Sequence, residues 1–247
     1  MKASPEAQLR LLELADLDTE LGRLEHRRQS LPEKAELARL TARSAEIGDA
    51  IVAADTALSD LDREQSRAER DVDQVRARID KDRQRLDAGQ VSSARELESL
   101  QSEVGSLLRR QSDLEEIVLD LMEKRESIQG NRDTLAAERD AVAAETAAVT
   151  GRRDAALQEI TEQQGKAGDQ RAGVASGVPA ELLSLYDKLR DAHGGIGAAA
   201  LRAGRCQGCH LSLNTVDLNA IRQSPPDEVL RCEECRRILV RTPESGL

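Results

Sequence analysis

The sequence has almost no aromatic side chains: its 247 residues include no Phe, no Trp and a single Tyr, Tyr186. Aromatic side chains supply much of the buried area of a large globular core, so this composition argues against one. Long hydrophobic runs are also missing, and the first residues lack the apolar stretch of a targeting segment. We therefore expect a cytoplasmic protein that does not interact with a membrane.

Charged residues, by contrast, make up 33% of the chain. Together with abundant Ala, Leu, Glu and Arg, this is typical of long helices and coiled coils. Apolar residues recur with a seven-residue period between residues 40 and 86, and again between residues 97 and 160. A heptad repeat sustained over such a length predicts a left-handed coiled coil rather than an ordinary surface helix.

A short segment near residues 87–92 interrupts the heptads, and Ser93 and Glu96 then form a capping box that starts a second helix. Two arms of similar length about a turn predict an antiparallel hairpin, in which each arm covers the apolar seam of the other. A parallel dimer of separate helices is the alternative. Counting outward from the turn places Arg125 near Asp55.

The chain has four cysteines, all close to its end, in two Cys-x-x-Cys pairs: Cys206 with Cys209, and Cys232 with Cys235. Two residues between thiols let one tight turn direct both sulfurs to the same point. Two such turns supply the four thiolates of a closed structural zinc site. We therefore predict one structural Zn²⁺ bound by these four residues.

Three other uses of the thiols fit the sequence less well. Disulfides are at odds with the missing secretory signal, and a thioredoxin-like dithiol would need a βαβ context that the pattern lacks. A c-type haem is suggested by Cys206-Gln-Gly-Cys209-His210, but it leaves the second cysteine pair unexplained. His210 as a ligand in place of a cysteine is a further alternative, although with four thiols present we expect it at the surface.

Proline and glycine divide the chain further. Pro32 predicts a kink or break near residues 30–32, and four glycines between Gly165 and Gly177 weaken the second arm near its end. We predict a coiled-coil hairpin over residues 1–175, then a linker helix and a Cys₄ zinc ribbon over residues 176–247. The predicted fold class is mainly α: a long antiparallel coiled-coil hairpin followed by a small α+β C-terminal zinc ribbon. We expect the two parts to fold independently.

The chain resembles the bacterial family of coiled-coil hairpin proteins with a C-terminal C4-type zinc ribbon. The resemblance rests on ELESLQSE at 96–103, on Leu182, Tyr186 and Leu189, and on the two cysteine motifs at 206–210 and 232–239. It implies zinc on the four cysteines and an adaptor or chaperone-like role toward transcription or secretion components. The sequence departs from the family pattern at Arg236, where Gly is common, and at Val240, where an aromatic residue is common.

The sequence predicts a non-enzymatic scaffold that binds protein partners. It has no Gly-rich phosphate loop, and a closed Cys₄ site leaves zinc no position for a water or a small-molecule substrate. The alternative is a nucleic-acid-binding zinc ribbon. Candidate nucleic-acid or partner contacts are Arg202, Arg205, Arg231, Arg236, Arg237 and Arg241. Because the net charge of the chain is −10, we expect at most weak RNA or DNA binding.

Overall fold

A computed structural model describes all 247 residues. The predicted fold class is confirmed: a long helical hairpin precedes a small region that contains the strands. The elements are α1 (Pro5–Gln29), α2 (Pro32–Asp87), α3 (Ala94–Ser176), α4 (Ala180–Ala192), β1 (Ala198–Arg202), β2 (Arg205–Cys206), α5 (Thr215–Gln223), β3 (Leu230–Arg231) and β4 (Ile238–Arg241). None of the helices combines the length and the apolar content that crossing a bilayer requires.

The helix ends follow local capping chemistry. Ser4 caps α1, since its side chain accepts a hydrogen bond from the backbone N–H of Ala7 at 3.2 Å. Helix α1 ends at Gln29 and α2 begins at Pro32, so the break lies where proline cannot donate to the preceding turn. At the hairpin turn, Gly89 has a φ of 64°, a conformation in which a residue with a Cβ is strained.

Contacts divide the chain into two compact units. The ribbon unit comprises Met1–Ala35 and Thr150–Leu247, and the tip unit comprises Glu36–Val149. The predicted boundary between residues 175 and 176 follows the order of the elements, whereas the compact units group the first helix and the end of α3 with the strands.

In the tip unit, α2 and α3 bury the predicted heptad seam. Its hydrophobic cluster contains Leu40, Ile47, Ile51, Val142 and Val149. Cross-arm ion pairs flank the seam: Arg43 pairs with Glu138, and Arg39 pairs with Glu145 at 3.2 Å. Antiparallel packing within one chain therefore replaces the alternative of separate parallel helices.

The predicted neighbour of Arg125 is wrong by one heptad. Arg125 contacts Asp62 at 2.6 Å, and Asp55 instead receives Arg132 at 3.1 Å. A shift of seven residues places apolar positions opposite apolar positions again, so the hydrophobic pattern alone does not fix which acidic residue Arg125 meets. Other cross-arm pairs, such as Arg43 with Glu138, lie close to the pairing counted outward from the turn.

Engineered cysteines test this register. Leu58 of α2 lies midway between Asp55 and Asp62, and Ile128 of α3 lies midway between their partners Arg132 and Arg125. A Leu58→Cys/Ile128→Cys variant should therefore form an intramolecular disulfide in the zinc-loaded protein. The control is Leu58→Cys/Met122→Cys, the pair expected from counting outward from the turn. Mass spectrometry of the oxidised variants would contradict the structure if the control closed faster, or if only linked dimers formed.

The ribbon unit contains a four-stranded sheet in the order β2-β1-β4-β3. Strands β1 and β4 are parallel, and each has an antiparallel neighbour at the edge. The N-terminus docks beside β3: the N–H of Ala3 donates to the carbonyl of Asp227 at 2.8 Å, and Lys2 pairs with the Asp227 carboxylate at 2.9 Å. The sequence patterns did not indicate this contact.

The two faces of this sheet pack against different partners. Ala198, Ile238 and Val240 join a core with α1 and α4 that includes Leu11, Leu14, Leu182 and Tyr186. Ala199, Leu201 and Leu239 face the other way and pack with Cys206, Cys232 and Ile221 of α5. Alternation along a strand therefore divides one sheet between a helical core and a cysteine cluster.

A buried polar network lies within the helical core of the ribbon unit. The carboxylate of Asp18 in α1 accepts a hydrogen bond from the Tyr186 hydroxyl at 2.7 Å and one from Arg171 at 2.6 Å. Arg171 also contacts Asp187 at 2.9 Å. The only aromatic side chain is thus fully buried and links α4 to α1, while Arg171 links both helices to α3.

The Tyr186→Phe variant isolates one bond of this network. Burial, followed by the hydrogen bond to Asp18, raises the pKa of Tyr186. A folded pKa above the unfolded value of about 10 makes a contribution to stability that is complete below that pH and is lost as the pH rises beyond it. Urea unfolding at pH 7 should show a loss of about 1–2 kcal/mol, and the decline above pH 10 should be shallower in the variant. An unchanged alkaline profile would contradict the assignment.

Candidate metal centre

The two Cys-x-x-Cys turns bring all four sulfurs together. Cys206 ends β2, and Cys232 directly follows β3. The four Sγ atoms lie within 4.8 Å of one another. Two of the cross-pair distances, Cys206 to Cys235 and Cys209 to Cys232, are 3.9 Å. A tetrahedral site with Zn–S bonds of about 2.3 Å requires sulfurs about 3.8 Å apart, so the donor set fits zinc.

Backbone N–H groups within each turn point at the sulfurs. Cys206 accepts from Gly208 and Cys209, and Cys232 accepts from Glu234 and Cys235 in the same way. These bonds favour the thiolate over the thiol. These hydrogen bonds therefore offset part of the effect of burial, which favours the neutral thiol.

The residue after each turn adopts a left-handed conformation. His210 and Arg236 both have a φ of 60°. Their N–H groups donate to the carbonyls of Cys206 and Cys232, at 2.8 and 2.9 Å. Since His210 occupies this closing position, is exposed and lies outside the sulfur cluster, all four donors of the candidate site are cysteines.

The thiols differ in acidity. Without a bound cation, burial raises the pKa of Cys206 to about 12 and also raises that of Cys232. Burial acts in the same direction on Cys235, but hydrogen bonds from the backbone and side chain of Arg237 and from the other thiols lower its pKa to about 7. Zinc binding to these thiols therefore releases protons.

Two family profiles match the chain in consecutive segments. Residues 205–239 match the C4-type zinc ribbon domain, which agrees with the geometry of the four sulfurs. Residues 14–194 match the CT398-like coiled coil hairpin domain. The chain belongs to the CT398-like coiled-coil hairpin family. The C4-type ribbon supports one structural zinc ion on the four cysteines.

Relatives of this family share nearly the whole chain. The Mycobacterium tuberculosis protein Rv2229c is 38% identical over 241 residues, 98% of each chain. The Mycobacterium leprae protein ML1638 is 32% identical over 94% of this chain and 95% of its own length. A Mycobacterium smegmatis structure has a TM-score of 0.85 at 35% identity, covering 98% of this chain and all of its own. CT398 from Chlamydia trachomatis, at 22% identity, shares the fold with a TM-score of 0.69 over 96% and 98% of the two chains.

The six arginines singled out in the sequence do not form one free basic patch. Arg202 pairs with Glu244 at 2.5 Å, and Arg236 pairs with Glu233 at 3.4 Å. The side chains of Arg205 and Arg231 donate to the carbonyls at the closing positions of the two turns, at 3.3 and 2.8 Å. These four side chains are exposed, whereas Arg237 and Arg241 are half-buried.

Arg237 and Arg241 bind backbone carbonyls. The guanidinium of Arg237 donates to the carbonyls of Ile196 and His193, both at 2.9 Å, and to that of Gly208 at 3.4 Å. A Cβ on Gly208 would lie only 2.9 Å from the Arg237 side chain, so the first turn needs glycine there. Arg237 thus connects the end of α4, the chain entering β1 and the first cysteine turn, and this role has no local sequence signal.

Arg241 connects the second half of the ribbon in a similar way. Its guanidinium donates to the carbonyls of Ser224 at 2.8 Å and Pro225 at 2.6 Å, with longer contacts to Ile221 and Glu228. It therefore satisfies the C-terminal end of α5 and the proline-containing loop that follows. Both arginines hold the fold of the ribbon rather than present charge to a ligand.

Replacement of one zinc ligand tests how far the metal centre supports the structure. We expect Cys232→Ser to lose the single zinc per chain and to lose part of its helical signal, because one sheet covers both the thiolates and the core of α1 and α4. This revises the expectation of independent folding. Metal analysis measures the zinc content, circular dichroism measures the helical signal, and hydrogen exchange should show that the tip unit is still protected. The matched control is His210→Ala, which should keep its zinc; unchanged helicity in Cys232→Ser would contradict the coupling.

The left-handed residue of the second turn offers a stabilising substitution. Arg236→Gly should raise the unfolding free energy of the ribbon unit by about 1 kcal/mol, since glycine adopts this conformation without a Cβ clash. Arg236→Ala removes the same exposed ion pair but keeps the strain, so it should give no gain. Chemical denaturation with excess zinc measures both; equal effects of the two variants would mean that the charge, not the backbone, matters.

Proposed function

We propose that the protein is a non-enzymatic scaffold or adaptor, with a chaperone-like role, that presents its hairpin to protein partners. The observation that carries this proposal is the exposure of large apolar side chains on the tip unit. Leu119 is 60% exposed, Ile117 49% and Met122 47%. Large apolar side chains that remain accessible on a helix mark a candidate protein-binding surface.

The metal centre supports a structural rather than a chemical role. Four thiolates fill the tetrahedral positions of zinc, so no position is left for a water or a substrate to be activated. The proposal includes a cytoplasmic location, where thiols stay reduced and can hold zinc. Components of transcription or secretion are the partner classes that the sequence resemblance suggests.

Capture from cells under crosslinking, with the tagged full chain as bait, tests the proposal. We expect specific proteins to be recovered, to survive nuclease treatment, and to be captured equally well by Arg202→Glu/Arg236→Glu. That variant changes two exposed arginines and leaves Arg237 and Arg241 in place. Recovery of RNA or DNA that is lost in this variant, with protein capture abolished by nuclease, would instead support the nucleic-acid-binding ribbon.

A further inference from the structure

Four exposed apolar side chains form a stripe along the second arm of the hairpin. Leu97, Leu108 and Leu119 recur every eleven residues, which is three helical turns plus about 20°, and Met122 follows one turn later. Their exposed fractions are 40%, 39%, 60% and 47%. Single exposed leucines are ordinary on protein surfaces, but these four share one helical face over about 37 Å.

Two residues of the stripe border an open groove between α2 and α3. Leu119 and Met122 line the groove together with Gln65 and Ser66 of α2. Val72 and Val118 line its continuation toward the turn. A groove between two packed helices is a shape that can accept a third helix.

The rim of this groove is acidic. Its charged residues are Asp62, Glu69, Asp73, Glu115, Glu123, Glu126, Arg76 and Arg125. Both arginines are already neutralised, since Arg125 contacts Asp62 at 2.6 Å and Arg76 contacts Glu115 at 2.5 Å. Glu69, Glu123 and Glu126 make no ion pair, so three uncompensated carboxylates surround the apolar floor.

We propose that this groove is the docking site for an amphipathic helix of a partner protein, whose apolar face is flanked by Lys and Arg. The proposal rests on the proposed scaffold function and specifies the chemistry of its partner. Apolar contacts with Leu119 and Met122 supply affinity, and basic flanks pair with the free carboxylates. A second copy of this chain would bring the same acidic rim against itself, and an anionic membrane would be repelled in the same way.

Two synthetic peptides test the charge requirement on the full-length, zinc-loaded protein. Both are helical 25-residue peptides with Leu at i, i+3, i+4 and i+7 positions; one has Lys and Arg beside the leucines, and the other has Glu. We expect the basic peptide to bind at least about tenfold more tightly at 0.15 M salt, with the difference shrinking as salt increases. Fluorescence anisotropy measures both affinities. Equal binding of the two peptides, or no binding of the basic one, would overturn the proposal.

Matched variants locate the binding site. Leu119→Ser/Met122→Ser should weaken the basic peptide about tenfold or more, and Glu123→Gln/Glu126→Gln should remove most of its advantage over the acidic peptide. The control is Ile117→Ser, since Ile117 is 49% exposed on the same helix but points to the opposite face. Circular dichroism verifies that each variant keeps its helices. An equal effect of Ile117→Ser would overturn the assignment of the groove.

Two further measurements separate the proposed occupant from others. Sedimentation equilibrium should show that the full chain does not dimerise through the groove. A dimer of the wild-type chain that Leu119→Ser/Met122→Ser abolishes would assign the groove to a second copy and overturn the proposal. Cellular capture with the same variant tests the groove separately from the scaffold function. If the wild-type chain and the variant capture the same proteins, the groove proposal fails while the scaffold function stands.

Discussion

The alternation of side chains along β4 is the constraint on which the ribbon unit depends. Ile238 and Val240 face the core of α1 and α4, and Leu239 between them faces the cysteine cluster. A shift of this strand by one residue would exchange the two faces and place the wrong residues in both. The parallel pairing of β4 with β1 carries the same alternation to the neighbouring strand. Zinc binding and helix packing are therefore two consequences of one strand register.

The same constraint explains how a chain with one aromatic residue forms a stable base. The small side chains of β1 let the sheet approach the helices closely, and Tyr186 fills the space between them with its hydroxyl bound to Asp18. A buried carboxylate is costly unless it is paired and hydrogen-bonded. Asp18 meets that requirement through Tyr186 and Arg171. Because hydrogen bonds are directional, this polar network links the three helices at a defined position.

Much of this architecture could be predicted from the sequence because its signals are local or periodic. Heptads, the break before Pro32, the capping box near Glu96 and the cysteine spacing each depend on residues a few positions apart. The partner of each charged residue across the hairpin could not be predicted in this way, since a heptad shift preserves the apolar pattern and Asp55 meets Arg132 rather than Arg125. Nor could the role of Arg237, whose carbonyl partners at His193 and Ile196 are brought to it by the fold.

The arginines show why the number of basic residues near a metal site does not predict whether that region binds nucleic acid or a protein partner. Arg237 and Arg241 have the same residue type and sequence neighbourhood as exposed Arg236, yet their guanidinium groups are used by backbone carbonyls inside the ribbon. The hairpin has exposed apolar side chains for a different reason. A two-helix coiled coil covers only a narrow seam on each arm, and α3 has apolar residues beyond that seam at Leu108, Leu119 and Met122. These side chains stay 39–60% exposed in the tip unit, because the seam with α2 covers only part of the surface of α3.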